Sequence, residues 1–166
     1  MSTSEDLQAA FAGESHANRM YTAFAAKAEA QGHHQIARLF RAAAAAETVH
    51  ALAHFRVMNG VSDTQDNLRT AAAGEKHEFS EMYPQFIEVA EAEGNRAAVI
   101  SFRNANAVEK IHYDLYSSAL ESLLAGNDLP AAPIYVCEIC GNTVVGAAPD
   151  KCSVCGAQKP KFSEVA

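Results

Sequence analysis

Apolar side chains recur with a helical period along four long segments of the chain. Gly32, the stretch 59–63 and Gly94 interrupt this pattern, and the segments between them are rich in strong helix formers. The pattern predicts helices over about residues 4–30, 34–58, 63–93 and 95–125, the third bent at Pro84, which has no N–H to donate. Long amphipathic segments joined by short links are typical of a four-helix bundle, so we expect an all-α fold there.

Each predicted apolar face carries glutamate where a core helix normally has leucine. Spacings of three and four residues put these glutamates, and two histidines, on the same faces as the apolar residues. A buried carboxylate without a partner is costly, so buried carboxylates pair with a cation or bind metal. The acidic and imidazole residues on these faces are Glu14, Glu47, His50, Glu75, Glu78, Glu109 and His112.

The helical part consists of two related halves. The frame F-R-x-A-x-A-x-E-x-x-H begins at Phe40 and again at Phe102, 62 residues later. The stretches AGESH and AGEKH, and MYTAF and MYPQF, also match, with one extra residue in the second half. Glu78 corresponds to Ala17 or is itself the extra residue. The sequence therefore predicts a pseudo-symmetric site with one additional carboxylate.

Two metal ions would supply the positive charge that this predicted cluster lacks. The nearest arginines, Arg41 and Arg103, directly follow a phenylalanine of the apolar face and are expected to point elsewhere. Two E-x-x-H motifs, with a Glu from each of the other two helices, form the pattern of a di-iron carboxylate site. Carboxylate with imidazole suits iron or manganese. Four solvated glutamate faces are the alternative interpretation, and the duplicated frames argue against it.

A second metal site is predicted in the tail, where two C-x-x-C-G motifs supply four thiolates. These motifs favour a tetrahedral site for iron, as a one-electron carrier, or for structural zinc. The motif alone favours zinc slightly, whereas a neighbouring di-iron bundle would need an iron carrier. We expect a helical domain over 1–126, a linker over 127–133 and a metal domain over 134–166, with the ligands Cys137, Cys140, Cys152 and Cys155.

Charge and hydropathy exclude several classes of function. The chain of 166 residues has a net charge of −7 and no basic cluster, which argues against nucleic-acid binding. No apolar run approaches the ~18–20 residues that span a bilayer. The N-terminal MSTSEDLQ is unlike a signal peptide, so we expect a cytoplasmic protein with reduced thiols.

These motifs together resemble the rubrerythrin family over nearly the whole chain. The resemblance implies a ferritin-like di-iron bundle followed by a rubredoxin-like iron domain. It implies a peroxidase of oxidative stress defence that reduces hydrogen peroxide to water, with electrons relayed from NAD(P)H through a reductase or rubredoxin to the tail iron. The resemblance rests on Glu14, Glu47-x-x-His50, Glu75, Glu78, Glu109-x-x-His112, Cys137, Cys140, Cys152 and Cys155.

The resemblance also implies a division of labour among the ligands. Glu47 and Glu109 would bridge the two irons. Glu14 would bind the first iron, and Glu75 with His112 would bind the second. These roles follow the family pattern and are expectations for the corresponding positions of this chain.

Four further positions are expected to act in catalysis. By the family pattern, the first iron would move between Glu78 in the oxidised state and His50 in the reduced state. Tyr21 and Tyr83 would lie beside the cluster. The chain departs from the rubredoxin-like pattern at Ser153, where the motif often has proline, and this bears on the iron potential more than on binding.

Two other functions remain open from the residues alone. One is a ferritin-like protein that oxidises or stores iron, with structural zinc in the tail. The other is an electron-transfer module without enzymatic activity. The metal in the tail distinguishes the first of these from the peroxidase, because only an iron-filled tail can deliver electrons one at a time.

The link between the second and third predicted helices is short for a ferritin-like bundle, in which those helices run parallel. At about 1.5 Å per residue, the chain must climb ~34 Å between them, whereas residues 60–63 span at most ~14 Å. The helices could form a simple hairpin, or two chains could exchange helix pairs. We expect the exchange: a homodimer whose sites take Glu14, Glu47 and His50 from one chain and Glu75, Glu78, Glu109 and His112 from the other.

Overall fold

The computed structural model describes residues 2–165, in two compact units that divide between Ser62 and Asp63. No described helix is long and apolar enough to cross a bilayer. The predicted helical part followed by a small four-cysteine domain is confirmed. The elements are α1 (Thr3–Ala30), α2 (His34–Val57), α3 (Thr64–His77), a π-helical segment (Glu78–Met82), α4 (Tyr83–Ala92), α5 (Arg96–Leu124), β1 (Ile134–Cys137), β2 (Thr143–Val145), a 3₁₀ turn (Lys159–Lys161) and β3 (Phe162–Val165).

Side-chain caps fix where α1, α3 and α5 begin. Ser2 and Glu5 form a reciprocal capping box in front of α1, each side chain accepting the other's backbone N–H. Asp63 and Asn95 each accept a hydrogen bond from the N–H three residues further on, at 2.9 and 3.1 Å. Gly94 follows the end of α4 and has φ +68°, a backbone conformation that favours glycine.

In the first unit, α1 and α2 pack closely through small side chains. Phe11 stacks on Phe55 with ring centroids 4.9 Å apart, and Asn18 Nδ2 donates to the carbonyl oxygen of Ala44 at 2.7 Å. Early residues of α1 therefore meet late residues of α2, so the two helices are antiparallel. The buried residues along this contact are Ala25, Ala28, Ala37, Ala44 and Ala51.

In the second unit, α3, the π-helical segment and α4 pack against α5. Val108, in the middle of α5, is only 2% exposed. Each unit contains a triangle of three aromatic rings. The ring centroids are 5.6–6.3 Å apart in the first unit and 5.7–6.2 Å apart in the second. This repeat agrees with the predicted duplication; the triangles are Tyr21, Phe24 and Phe40, and Tyr83, Phe86 and Phe102.

The extra residue of the second half coincides with the π-helical segment. The N–H of Tyr83 bonds to the carbonyl of Glu78, five residues back, while α1 stays α-helical over the corresponding stretch. The sequence placed the irregularity of this helix at Pro84. The structure places it directly before Pro84, which falls at the start of α4, where a missing N–H costs least.

The tail is a three-stranded antiparallel sheet in the order β2-β1-β3. Each C-x-x-C-G motif is a tight turn: Gly141 N–H bonds to the carbonyl of Cys137 at 2.8 Å, and Gly156 N–H to that of Cys152 at 3.0 Å. Both glycines have positive φ, +84° and +77°. The buried residues described in this small domain are Cys137, Asn142, Ala148 and Cys152, so a metal would supply much of its stability.

Candidate metal centres

The four cysteines converge on one point with the spacing of a tetrahedral site. Their sulfurs lie within 4.8 Å of one another, with Cys137 and Cys155 3.7 Å apart and Cys140 and Cys152 3.6 Å apart. A tetrahedron with metal–sulfur bonds of about 2.3 Å has edges of about 3.8 Å. All four cysteines are free thiols. The donor set therefore fits a rubredoxin-like metal ion.

Asn142, which sequence reasoning missed, helps to hold this site. It is 2% exposed and its Nδ2 lies 3.5 Å from Cys152 Sγ. Burial raises the pKa of Cys152, but N–H groups of Cys155, Val154 and Asn142 outweigh it and lower the pKa to about 6. The Cys152 thiolate is thus favoured at neutral pH, whereas burial raises the pKa of Cys140 and Cys155. Asn142 follows the first C-x-x-C-G motif directly, and this position was the only available signal.

The first helix pair brings three predicted ligands together. Nδ1 of His50 lies 2.9 Å from a carboxylate oxygen of Glu47 and 3.9 Å from one of Glu14. All three side chains place a ligand atom within 4.8 Å of the others. The E-x-x-H spacing on α2 aims Glu47 and His50 at one point, and the antiparallel packing brings Glu14 opposite them.

In the second unit, α3 and α5 form an equivalent cluster with nearly the same distances. Nδ1 of His112 lies 2.8 Å from Glu109 and 3.7 Å from Glu75. This cluster is less exposed: the imidazole of His112 is 26% exposed, against 55% for that of His50. Each unit thus provides one carboxylate–imidazole half-site with the ligand types that iron binds.

The arginines that precede the two E-x-x-H motifs pair with other glutamates and do not contact the half-sites. Arg41 binds Glu29 at 3.0 Å, and Arg103 binds Glu91, which is the equivalent pair in the second half. This agrees with the expectation that both arginines point away from the cluster. A metal ion is therefore the cation that fits the two groups of carboxylates.

Raised pKa values show the same lack of positive charge. Burial, and then the charge of Glu109, raise the pKa of Glu75 to about 7. A hydrogen bond shared with Glu47 raises the pKa of Glu14. The Glu75 carboxyl, with its pKa near 7, would release its proton to a bound metal ion, which requires the ionised form.

Glu78 and Tyr83 lie near the second half-site, whereas Tyr21 is placed only by its aromatic contacts. Glu78 stands outside the three-residue cluster, at the first position of the π-helical segment, and burial followed by the charge of Glu109 raises its pKa. Burial and the charges of Glu109, Glu78 and Glu75 raise the pKa of Tyr83, so its phenol is near enough to be influenced by these carboxylates. Tyr21 occupies the equivalent place in the first aromatic triangle.

Removing the metals is expected to make stability depend on pH. With a pKa of about 7 against about 4.3 in the unfolded chain, Glu75 binds its proton more tightly when folded. This stabilisation is fully present below the unfolded pKa and is lost as pH rises through about 7. The melting temperature of the metal-free protein should fall between about pH 5 and pH 8. Circular dichroism melts measure it.

The matched variants for this experiment are Glu75→Gln and Glu81→Gln. Glu81 lies on the π-helical segment with a side chain 65% exposed. We expect Glu75→Gln to flatten the pH dependence and Glu81→Gln to keep it. An unchanged slope in Glu75→Gln would show that another group carries the effect.

Both regions match known protein families. The family model described as rubrerythrin matches residues 5–120, and that of the rubrerythrin, rubredoxin-like domain matches residues 135–163. Rubrerythrin-2 of Clostridium acetobutylicum is 33% identical over 96% of this chain and 95% of its own length. Nigerythrin of Nitratidesulfovibrio vulgaris is 38% identical over 98% of this chain and 86% of its own length.

Solved structures give the same assignment. A structure of the mixed-valence state of nigerythrin is similar with a TM-score of 0.57 and 37% identity, covering 99% of this chain and 87% of that one. The fully reduced, all-ferrous state of nigerythrin gives a TM-score of 0.59 at 36% identity, with the same coverage. The chain therefore belongs to the rubrerythrin family, with a di-iron carboxylate site and a rubredoxin-like four-cysteine site.

Proposed function

We propose that this protein is a peroxidase that reduces hydrogen peroxide to water in defence against oxidative stress. The observation that carries the proposal is the pairing of two equivalent carboxylate–imidazole half-sites with a four-thiolate site in one chain. The reaction consumes two electrons and two protons per peroxide, giving two waters. The iron pair, when bound, supplies both electrons to the O–O bond.

The protein residues would bind, orient and supply protons. Glu47 and Glu109, each 2.8–2.9 Å from the histidine of its own helix, are proposed as bridging ligands. Glu14 would complete the first iron's ligands, and Glu75 with His112 the second's.

Glu78, His50 and the tyrosines would make the two irons differ. Glu78 has no acidic counterpart in the first half, and His50 is the more exposed histidine. We assign the first iron an exchange between Glu78 when oxidised and His50 when reduced. The raised pKa of Glu78 suits its carboxyl to hold a proton for the departing oxygen. Tyr21 and Tyr83 would orient the bound peroxide.

Electrons would reach the iron pair through iron in the four-cysteine site. The donor would be NAD(P)H, acting through a reductase or a rubredoxin. Free thiols at all four cysteines agree with a reducing compartment, so we assign the protein to the cytoplasm. Zinc in the tail would interrupt this route, because zinc has no redox chemistry.

Stopped-flow oxidation of the fully reduced protein tests the peroxidase proposal. A preparation with about three irons per chain is mixed with peroxide or with dioxygen at equal concentration. We expect peroxide to oxidise the protein much faster, because the site is proposed to be built for O–O cleavage of peroxide. Equal rates, or zinc in the tail of protein made in iron-rich medium, would favour a ferritin-like iron oxidase.

We also propose that the protein is a homodimer in which two chains exchange helix pairs. The link between α2 and α3 has six residues, 58–63, and much of it is committed to caps. Gly60 N–H bonds to the carbonyl of Phe55 at 2.9 Å, closing the end of α2, and Asp63 caps α3. Only residues 61 and 62 lie between these caps.

A single chain cannot span the height of a ferritin-like bundle with this link. From Glu47 to Val57 the chain travels ~15 Å along α2, and from Thr64 to Glu75 ~16 Å along α3, so the crossing is ~31 Å. Fully extended, with both caps undone, the link would reach at most ~25 Å. Pairing with a second chain removes the crossing.

The incomplete half-sites point to the same assembly. A di-iron site of this kind uses a carboxylate from each of four helices, and each unit provides two such helices. One phenylalanine of each aromatic triangle remains accessible, with Phe24 45% and Phe86 43% exposed. A second copy, which carries the complementary half-site, would cover them and complete the ligands.

A further inference from the structure

The imidazole of His112 is held from both sides. Its Nδ1 faces the carboxylates of Glu109 and Glu75, at 2.8 and 3.7 Å. Its Nε2 lies 3.0 Å from the hydroxyl oxygen of Thr143, the first residue of β2 in the four-cysteine domain. This domain follows the second helix pair along the chain, so His50 in the first unit has no corresponding residue in its own unit.

The hydrogen-bond directions are consistent with metal binding through Nδ1. An imidazole that binds metal with one nitrogen carries its proton on the other, so Nε2–H would donate to the Thr143 hydroxyl. That hydroxyl donates in turn to the carbonyl oxygen of Gly141 at 3.2 Å. Each donor in this chain of two hydrogen bonds therefore has one acceptor. The chain ends at the carbonyl of Gly141, which directly follows the metal ligand Cys140.

Close packing keeps Thr143 in place. The turn after Cys140 lies against α5, where a Cβ on Gly141 would be 3.7 Å from the side chain of Val108, one helical turn before His112. The residues around His112 and Thr143 also border a cleft of about 540 Å³ whose lining is mostly apolar, including Leu68 and Leu115. An apolar surrounding strengthens a hydrogen bond and disfavours its loss to water.

We propose that Thr143 is a positioning residue for the metal site, which fixes the orientation and the protonated nitrogen of His112. The four-cysteine domain then acts on metal binding in the helical part as well as on electron delivery. The inference rests on the metal site and is independent of the peroxidase reaction. It also distinguishes the two half-sites, since the described residues give His112 a hydrogen-bond partner at Nε2 and give His50 a partner at Nδ1 alone.

Metal titration of the full-length chain tests the proposal. The four-cysteine site is first filled with cobalt(II), whose thiolate charge-transfer absorption reports that site alone, and further cobalt(II) then fills the carboxylate sites. Thr143→Val keeps the shape of the side chain and removes the hydroxyl, whereas Thr143→Ser keeps the hydroxyl. Partners that orient a ligand histidine typically contribute 10–100-fold in metal affinity.

We expect Thr143→Val to weaken one of the two carboxylate sites about tenfold or more, leaving the other and the thiolate site unchanged. Thr143→Ser should retain wild-type affinity. In the zinc-loaded protein, the Nε2 proton of His112 should exchange slowly with solvent, and rapidly in Thr143→Val. Unchanged affinity in Thr143→Val, or equal losses in the serine and valine variants, would overturn the proposal.

Discussion

Glu78→Ala is expected to lower peroxide turnover by more than about tenfold, which is ~1.4 kcal/mol or more in the barrier, while iron still binds. Glu78 stands outside the cluster of Glu75, Glu109 and His112, so the remaining four glutamates and two histidines keep the ligands of two irons. The variant makes this position resemble Ala17 in the first half. What it removes is the proposed alternative ligand of the first iron.

Two measurements separate this effect from a loss of structure. Iron content should stay near that of the wild type, and the redox-linked difference between oxidised and reduced iron positions, seen by X-ray absorption or crystallography, should disappear. Glu81→Ala is the matched control, because Glu81 lies on the same π-helical segment and is largely exposed. Unchanged turnover in an iron-loaded Glu78→Ala protein would remove Glu78 from the mechanism.

The sequence predicted which of the ligand side chains would meet on α2 and α5, because this part of the geometry is local. On an α-helix, the i, i+3 spacing alone sets where Glu47 and His50 can meet, and the repeated frame implies the same meeting for Glu109 and His112. The observed distances of 2.9 and 2.8 Å agree with this. Helix limits were also predictable, since Asn95, Asp63 and the glycines are strong signals at helix ends.

The π-helical segment could not be located from the sequence alone. The extra residue was visible, but one added residue can form a loop, a bulge or a kink, and the choice depends on packing on both sides of it. In the structure the helix continues through the insertion: Phe79, inside the π-helical segment, packs on Tyr113, and Phe86, after it, packs on Phe102. Proline at 84 indicated the irregularity only approximately, since the π-helical segment ends two residues before it.

The contacts between the four-cysteine domain and α5 could not be predicted from the sequence for a different reason. Thr143 is an ordinary strand residue in its local sequence, and nothing nearby indicates a histidine 31 positions earlier. Such a pairing depends on how β2 docks on α5. Asn142 is a similar case, since its burial against Cys152 follows from the three-dimensional turn and not from a motif.

Mixing two inactive variants is expected to restore activity if helix pairs are exchanged between chains. Glu47→Ala disables the first helix pair and Glu109→Ala the second, so each variant alone should lack an intact di-iron site. In a mixed dimer with exchange, one site carries both defects and the other carries neither. The two chains are given different affinity tags, refolded together and purified through both tags.

The purified mixed dimer should show about half the wild-type activity and half the wild-type iron in carboxylate sites, because one of its two sites is intact. The matched control mixes Glu47→Ala with Glu14→Ala. Both defects then lie on the first helix pair, so either site of a mixed dimer contains one of them and no activity should return. If the Glu47→Ala and Glu109→Ala mixture also recovers neither iron nor activity, each site is built within one chain, and α2 and α3 must form a simple antiparallel hairpin.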